Sequence, residues 1–95
     1  MAIMGLAFKP NIDDLRESPA VYISERILGF HAGRVMAVEP NIDQLPISLQ
    51  GVELVRLDDA LREADILLML VGHKEFLLNR PEENKGVVID TVGIW

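Results

Sequence analysis

The strongest constraint on the fold of this chain is a set of short apolar runs in which no polar residue alternates. Ala2-Ile3-Met4-Gly5-Leu6-Ala7-Phe8 is the first, and Ile66-Leu67-Leu68-Met69-Leu70-Val71 is the most hydrophobic. Arg34-Val35-Met36-Ala37-Val38 and Gly86-Val87-Val88-Ile89-Asp90 complete the set. A strand that offers water neither of its faces has this pattern, and such strands belong to parallel sheets covered on both sides. Ile66–Val71 is the best candidate for a central strand, and Val52–Val55 reads as a further short one.

Between these runs the pattern turns helical. Ser18-Pro19 is a helix start, a serine N-cap followed by a proline where a missing N–H costs nothing. Ala20, Ile23, Ile27 and Phe30 follow at three-to-four-residue spacing and predict one apolar stripe, with Gly29 and Gly33 as stop signals. Gln44–Gly51, with Pro46, reads as a loop or short turn. Asp58 or Asp59 is expected to cap a second helix through Ala64, with Leu57, Leu61 and Ala64 inward. A short helical piece is expected around Glu75–Leu78, and a polar loop over Pro81–Lys85. Strands and helices therefore alternate. The expected fold class is α/β, a Rossmann-like three-layer sandwich with a mostly parallel sheet and helices on both faces. Ligands in such sheets sit beyond the carboxyl ends of the strands, after Phe8, Val38, Val71 and Ile89.

Ninety-five residues leave room for one small domain. A core of that size gives modest stability, which permits reliance on another domain or subunit. The formal net charge of −6 argues against tracking nucleic-acid phosphates, although a few converging cations still suit a small anion. No cysteine is present, so neither a thiolate nucleophile nor a thiolate metal site exists within these residues, and His31 with His73 makes no metal spacing. No apolar stretch reaches membrane-spanning length. Met1–Ala7 lacks the basic start and cleavage site of a signal peptide. A cytoplasmic protein without nucleic-acid, membrane or metal partners is the expectation.

The connection from the first strand to the first helix carries the chemistry. Phe8-Lys9-Pro10-Asn11-Ile12-Asp13-Asp14-Leu15-Arg16-Glu17-Ser18-Pro19 occupies the position where nucleotide-binding α/β domains hold phosphates. Gly5 stands alone, so the glycine-rich turn of dinucleotide sites is missing. Two cations take its place. Lys9 offers a point charge, and Arg16 a planar fork suited to a pyrophosphate. The plainer alternative is a capped loop in which Arg16 pairs with Asp13 or Asp14.

Gly5-Leu6-Ala7-Phe8-Lys9 through Asp14-Leu15-Arg16-Glu17-Ser18-Pro19 resembles the signature that opens the last domain of the UDP-glucose/GDP-mannose dehydrogenase family, Phe-Lys, four residues, then Asp-x-Arg-x-Ser. Val38-Glu39-Pro40-Asn41, the Leu57–Ala64 segment, Ala64-Asp65, His73 with Phe76, and Val88-Ile89-Asp90 extend the resemblance over nearly the whole chain. Within the family it is similar to the branch acting on UDP-N-acetylmannosamine. The resemblance implies that Phe8 and Lys9 contact the UDP-sugar, that Arg16 reaches NAD held by an amino-terminal domain, and that Asp14 orients the loop, with Arg16 as one partner. It also implies oxidation of a sugar C6 alcohol to a carboxylate with two NAD and a thiohemiacetal intermediate, in bacterial surface polysaccharide synthesis. The cysteine and the glycine fingerprint for that chemistry lie in earlier domains of such proteins. Residues 1–95 are thus expected to be a carboxy-terminal, UDP-sugar-binding fragment with no catalytic residue, inactive alone, from an enzyme that forms a homo-oligomer. Val92 stands where relatives often carry a substrate-touching arginine or lysine.

Other residues have two readings. Glu39 is either a ribose-binding acid or, better without the glycine fingerprint, a loop acid before Pro40. His73 is a ligand contact or general base, or more simply a turn histidine near a helix start. Asp90 is placed equally to hold a loop and to meet a ligand, and Trp95 is expected to pack. The competing functions are a free-standing nucleotide-binding or regulatory module on the same scaffold, and a receiver-like domain. The receiver reading needs an aspartate at the end of the central strand, where Val71-Gly72 stands.

Overall fold

A computed structural model describes residues 1–81 and 86–95, so four residues of the loop expected over Pro81–Lys85 lie outside the described residues. Five strands form one sheet: β1 (Ala2–Met4), β2 (Met36–Val38), β3 (Glu53–Leu54), β4 (Ile66–Met69) and β5 (Val87–Asp90). Their order is β3-β2-β1-β4-β5 and every pairing is parallel. The expected sandwich is present, with a sheet that is wholly rather than mostly parallel. β4 lies inside the sheet, but its middle is β1, with Ala2 opposite both Met36 and Leu67.

The helices are α1 (Pro19–Phe30), α2 (Leu57–Glu63) and α3 (Lys74–Leu78), with a 3-10 turn over Ile47–Leu49. The chain winds outward from β1 through β2 to β3, then returns to lay β4 and β5 on the other side. Right-handed crossovers in opposite directions put their helices on opposite faces. Ile3, Ala37 and Leu68 pack under α1 and the 3-10 turn, with Ile27, Leu49 and Val52. Ala2, Met4, Met36, Val38, Leu67 and Met69 pack against Ala60, Ala64 and Phe76 on the α2 and α3 side. Burying Phe76 completely contributes about 1.5–3 kcal/mol.

Several local expectations change. β1 stops at Met4, not Phe8, because Gly5 turns the backbone to φ +96° against β4's continuation. A Cβ there would lie 2.6 Å from Val71 Cβ and 2.8 Å from its carbonyl oxygen. β2 begins at Met36, and Arg34 instead pairs with Glu53 beside it.

Ser18 does cap α1, with Pro19 as the first helical residue. The buried side of α1 is Ala20, Ser24 and Ile27, whereas Ile23 and Phe30 face outward. Ser24 enters the seam because its hydroxyl donates to Ala20 O at 2.7 Å, leaving no unpaired polar group. α1 ends with His31 N–H on Ile27 O, with neither Gly29 nor Gly33 in a left-handed turn. At α2 the N-cap is Arg56, without a side-chain capping bond; Asp58 and Asp59 lie within the first turn, where acids still favour the helix dipole.

Candidate functional site

The carboxyl ends of β1 and β4 are adjacent, and there the winding reverses direction. The segment leaving β1 crosses this opening, and its inward groups are bonded in turn. Leu6 and Ala7 donate their backbone N–H groups to Glu39 Oε1 at 2.9 and 3.0 Å. Leu6 O accepts the Ser18 hydroxyl at 2.6 Å. Phe8 N–H donates to Asp14 O at 2.8 Å and closes the loop on itself. Asn11 N–H donates to His73 Nδ1 at 2.8 Å, while Asn11 Oδ1 accepts the Lys74 N–H at 2.8 Å.

These bonds hold a backbone that would not adopt this path unaided. Asn11 and Glu17 both have positive φ, 63° and 55°, a region costly for a residue with a Cβ and better tolerated by asparagine. Such strain persists where surrounding contacts over-determine it. On the inward side the backbone N–H groups of Leu6, Ala7, Phe8 and Asn11 are all bonded. Turned outward are Phe8, 48% exposed, and Lys9, whose ammonium stands 6.0 Å from the Phe8 ring centroid. No ion pair of Lys9 is formed among the described residues.

Arg16 selects Asp14 over Asp13. Its Nε and Nη2 donate to the two Asp14 carboxylate oxygens at 3.1 and 3.0 Å, and its backbone N–H adds a third bond at 2.9 Å. The side-chain and backbone bonds from Arg16 hold the Asp14 carboxyl below its ordinary range. The guanidinium remains 89% exposed, so the pair sets its direction while leaving it in water.

His73 is the turn histidine expected at a helix start, at the N-cap position of α3, whereas Glu39 takes a role that the sequence did not suggest. Glu39 is neither a ribose acid nor an ordinary loop acid: it is buried beyond the end of β2. Besides Leu6 and Ala7 it accepts the backbone and side-chain N–H groups of Asn41 on Oε2, and His73 Nε2 on Oε1 at 2.7 Å. Burial pushes its carboxyl up, but His73, Leu6 and Asn41 more than offset this and hold it below the ordinary carboxylate range. With these donors on it, the carboxylate has no room for a ribose hydroxyl, so this domain does not make a dinucleotide site of the usual kind. His73 is fully buried at the N-cap position of α3. Its partners assign the tautomer: Nδ1 receives an N–H, so the ring proton lies on Nε2. One sequence signal pointed to the pair. Both follow apolar runs, Glu39 directly after Val38 and His73 two residues after Val71, where such sheets place their ligands.

Asp90 proves to be a loop holder. It accepts N–H groups from Val92, Gly93 and Trp95 at 2.7–3.0 Å and draws the last residues over α3. Trp95 packs as expected, its Nε1 donating to Phe76 O at 2.8 Å and its ring meeting Phe76 edge-on. Val92 is half exposed beside Gly72, at the rim of the opening beyond β4.

A cleft of about 720 Å³ lies elsewhere on the same edge, beyond β2 and β3, bordered by Ile42, Leu54, Arg56, Leu57, Asp58 and Glu75 among others. None of Phe8, Lys9 and Arg16 lines it. Asp43, Asp58 and Glu75 outnumber the single cation Arg56 there, so the cleft repels a pyrophosphate. Among the described residues no group of three or more acidic, histidine or cysteine side chains is placed to hold a metal, and no helix is long and apolar enough to cross a membrane.

Comparison with known proteins identifies the family. The model of the UDP-glucose/GDP-mannose dehydrogenase family, UDP binding domain, matches residues 2–95. The chain is 52% identical, over its whole length, to the UDP-N-acetyl-D-mannosamine dehydrogenases of Escherichia coli K12 and Yersinia pestis. It is 49% identical to an NDP-N-acetyl-D-galactosaminuronic acid dehydrogenase of Ralstonia nicotianae. It spans 23% of the length of each of these relatives. The crystal structure of GDP-mannose dehydrogenase from Pseudomonas aeruginosa has the same fold, with a TM-score of 0.78 at 24% identity over 98% of this chain and 24% of that one. The chain belongs to the UDP-glucose/GDP-mannose dehydrogenase family and corresponds to its UDP binding domain.

Proposed function

We propose that this chain is the carboxy-terminal, nucleotide-sugar-holding domain of a longer NAD-dependent dehydrogenase that oxidises the C6 alcohol of UDP-N-acetylmannosamine to the carboxylate, in the cytoplasm, for surface polysaccharide synthesis. The observation that carries the reading is the Lys9 loop. It stands at the reversal point of a wholly parallel sheet, with the N–H groups of Leu6, Ala7, Phe8 and Asn11 bonded and, among the described residues, an ammonium without an ion pair beside a half-exposed ring. The substrate follows from the identity to UDP-N-acetyl-D-mannosamine dehydrogenases, and the longer protein from the 23% of their length that the chain spans.

In this reading Lys9 neutralises the pyrophosphate or meets the sugar, and the Phe8 ring gives the ligand an apolar wall. Asp14 aims the Arg16 guanidinium out of the domain, toward NAD bound elsewhere in the longer protein. NAD accepts the hydride. No cysteine lies within these residues, so the covalent chemistry falls to the remainder of that protein, and residues 1–95 alone turn over nothing.

The test is calorimetric titration of the full-length protein with UDP and with UDP-N-acetylmannosamine. Both are expected to bind, and Lys9→Ala is expected to weaken UDP about 10- to 100-fold, the worth of one charge-assisted bond. Absence of binding by the folded full-length protein refutes the proposal.

A further inference from the structure

We propose that His73 and Glu39 are positioning residues for the nucleotide-sugar site, acting through Asn11 to fix the loop that carries Phe8 and Lys9. This rests on the reading of that loop as the UDP-holding element. Neither side chain reaches solvent, so neither touches a ligand. Their effect passes through the backbone. Glu39 grips the loop where it leaves the strand, at Leu6 and Ala7, and His73 grips it at Asn11. Phe8, Lys9 and Pro10 lie between the two grips, which makes them a short span fixed at both ends.

The two grips are coupled. Glu39 Oε1 takes the Nε2 proton of His73, which leaves Nδ1 as the acceptor that Asn11 N–H requires. The opposite tautomer would set two N–H donors against each other at Asn11. The carboxylate thus selects the ring tautomer, and the tautomer holds Asn11 in its left-handed conformation. Asn11 Oδ1 then ties the same residue to Lys74 N–H at the start of α3. A loop held this way meets a pyrophosphate with its cation already placed, so ordering it costs less binding energy.

Two substitutions of one residue separate the bonds. His73→Asn keeps an acceptor near the Nδ1 position and loses the donor to Glu39; His73→Gln keeps a donor near Nε2 and loses the acceptor for Asn11. Both disturb a buried ring and are expected to lower the melting temperature of the full-length protein similarly. UDP affinity is expected to divide them, with His73→Gln weakened about tenfold or more and His73→Asn retaining most of the difference. Asn11 is exposed, so its variants test the same link without risk to the core. Asn11→Ala, which keeps the strained φ and loses the Lys74 bond, is expected to weaken UDP to a similar degree, and Asn11→Gly less. Equal losses in the two His73 variants, or full affinity in His73→Gln or Asn11→Ala, overturn the proposal. Failure of the parent protein itself to bind UDP counts instead against the loop's assignment.

Discussion

Glu39 Oε1 and His73 Nε2 meet at 2.7 Å, thirty-four residues apart in sequence, with both side chains fully closed to water. Removing the Glu39 carboxylate strands the His73 Nε2–H along with the Leu6 and Ala7 N–H donors. Glu39→Ala is therefore expected to cost about 3 kcal/mol of unfolding free energy, measured by urea denaturation. A change within experimental error would show that water replaces the carboxylate without penalty.

The same carboxylate makes stability depend on pH in a set direction. Its folded-state pKa is lowered, so its contribution is complete above the unfolded value, about 4.3, and is lost as pH falls through the folded one. Asp14, Glu53 and Asp90 are lowered as well and act in the same sense. The denaturation midpoint of the parent chain should fall on acidification below about pH 5, and Glu39→Gln should flatten part of that fall. Parallel pH curves for the two proteins would remove Glu39 from the account.

Gly5 is required by both conformation and space. Gly5→Ala places a Cβ on the Val71 backbone in a left-handed region, and neither neighbour is a flexible side-chain end. A loss of at least about 2 kcal/mol is expected in thermal unfolding. UDP binding should weaken too, because Gly5 sets the path into the loop. An unchanged melting temperature would mean that β1 and β4 separate easily at this point.

Asp14 and Arg16 give the contrasting case. The pair is exposed, and Asp14→Ala is expected to leave the melting temperature essentially unchanged. Arg16→Ala in the full-length protein should raise the KM for NAD while UDP affinity stays that of the parent. Loss of UDP affinity with NAD untouched would reverse the roles given to Lys9 and Arg16.

Trp95 is the only tryptophan and reports on the last turn of chain. Asp90→Ala frees the N–H groups of Val92, Gly93 and Trp95, and the indole should then leave Phe76. The expected signature is a red shift of emission with the far-ultraviolet circular dichroism preserved. Emission like that of the parent would show that the ring contact alone holds the tail.

Where a feature depended on local pattern it could be read in advance. Unbroken apolar runs located the strands, and Ser18-Pro19 located the start of α1. Where it depended on tertiary contact it could not. Ile23 and Ile27 are equally apolar, yet only Ile27 is on the buried side of α1, because Ser24 hides its hydroxyl in the helix and takes an inward place. Asp58 and Asp59 have the composition of caps, but α2 is capped at Arg56, two residues before the first of them. Glu39 and His73 are ordinary loop residues until β1 is placed between β2 and β4, which no spacing along the chain reveals.

The position of β1 also governs how the chain reaches this structure. Its three residues form the middle of the sheet, yet they are among the first in sequence and must wait for partners at Met36–Val38 and Leu67–Met69. No hairpin or other local pairing can nucleate a sheet wired this way, and the entropy of closing long loops comes due before the central contacts form. Folding should therefore be slow for so small a domain. β1 should gain its protection from hydrogen exchange in the same late step that seals both faces of the core.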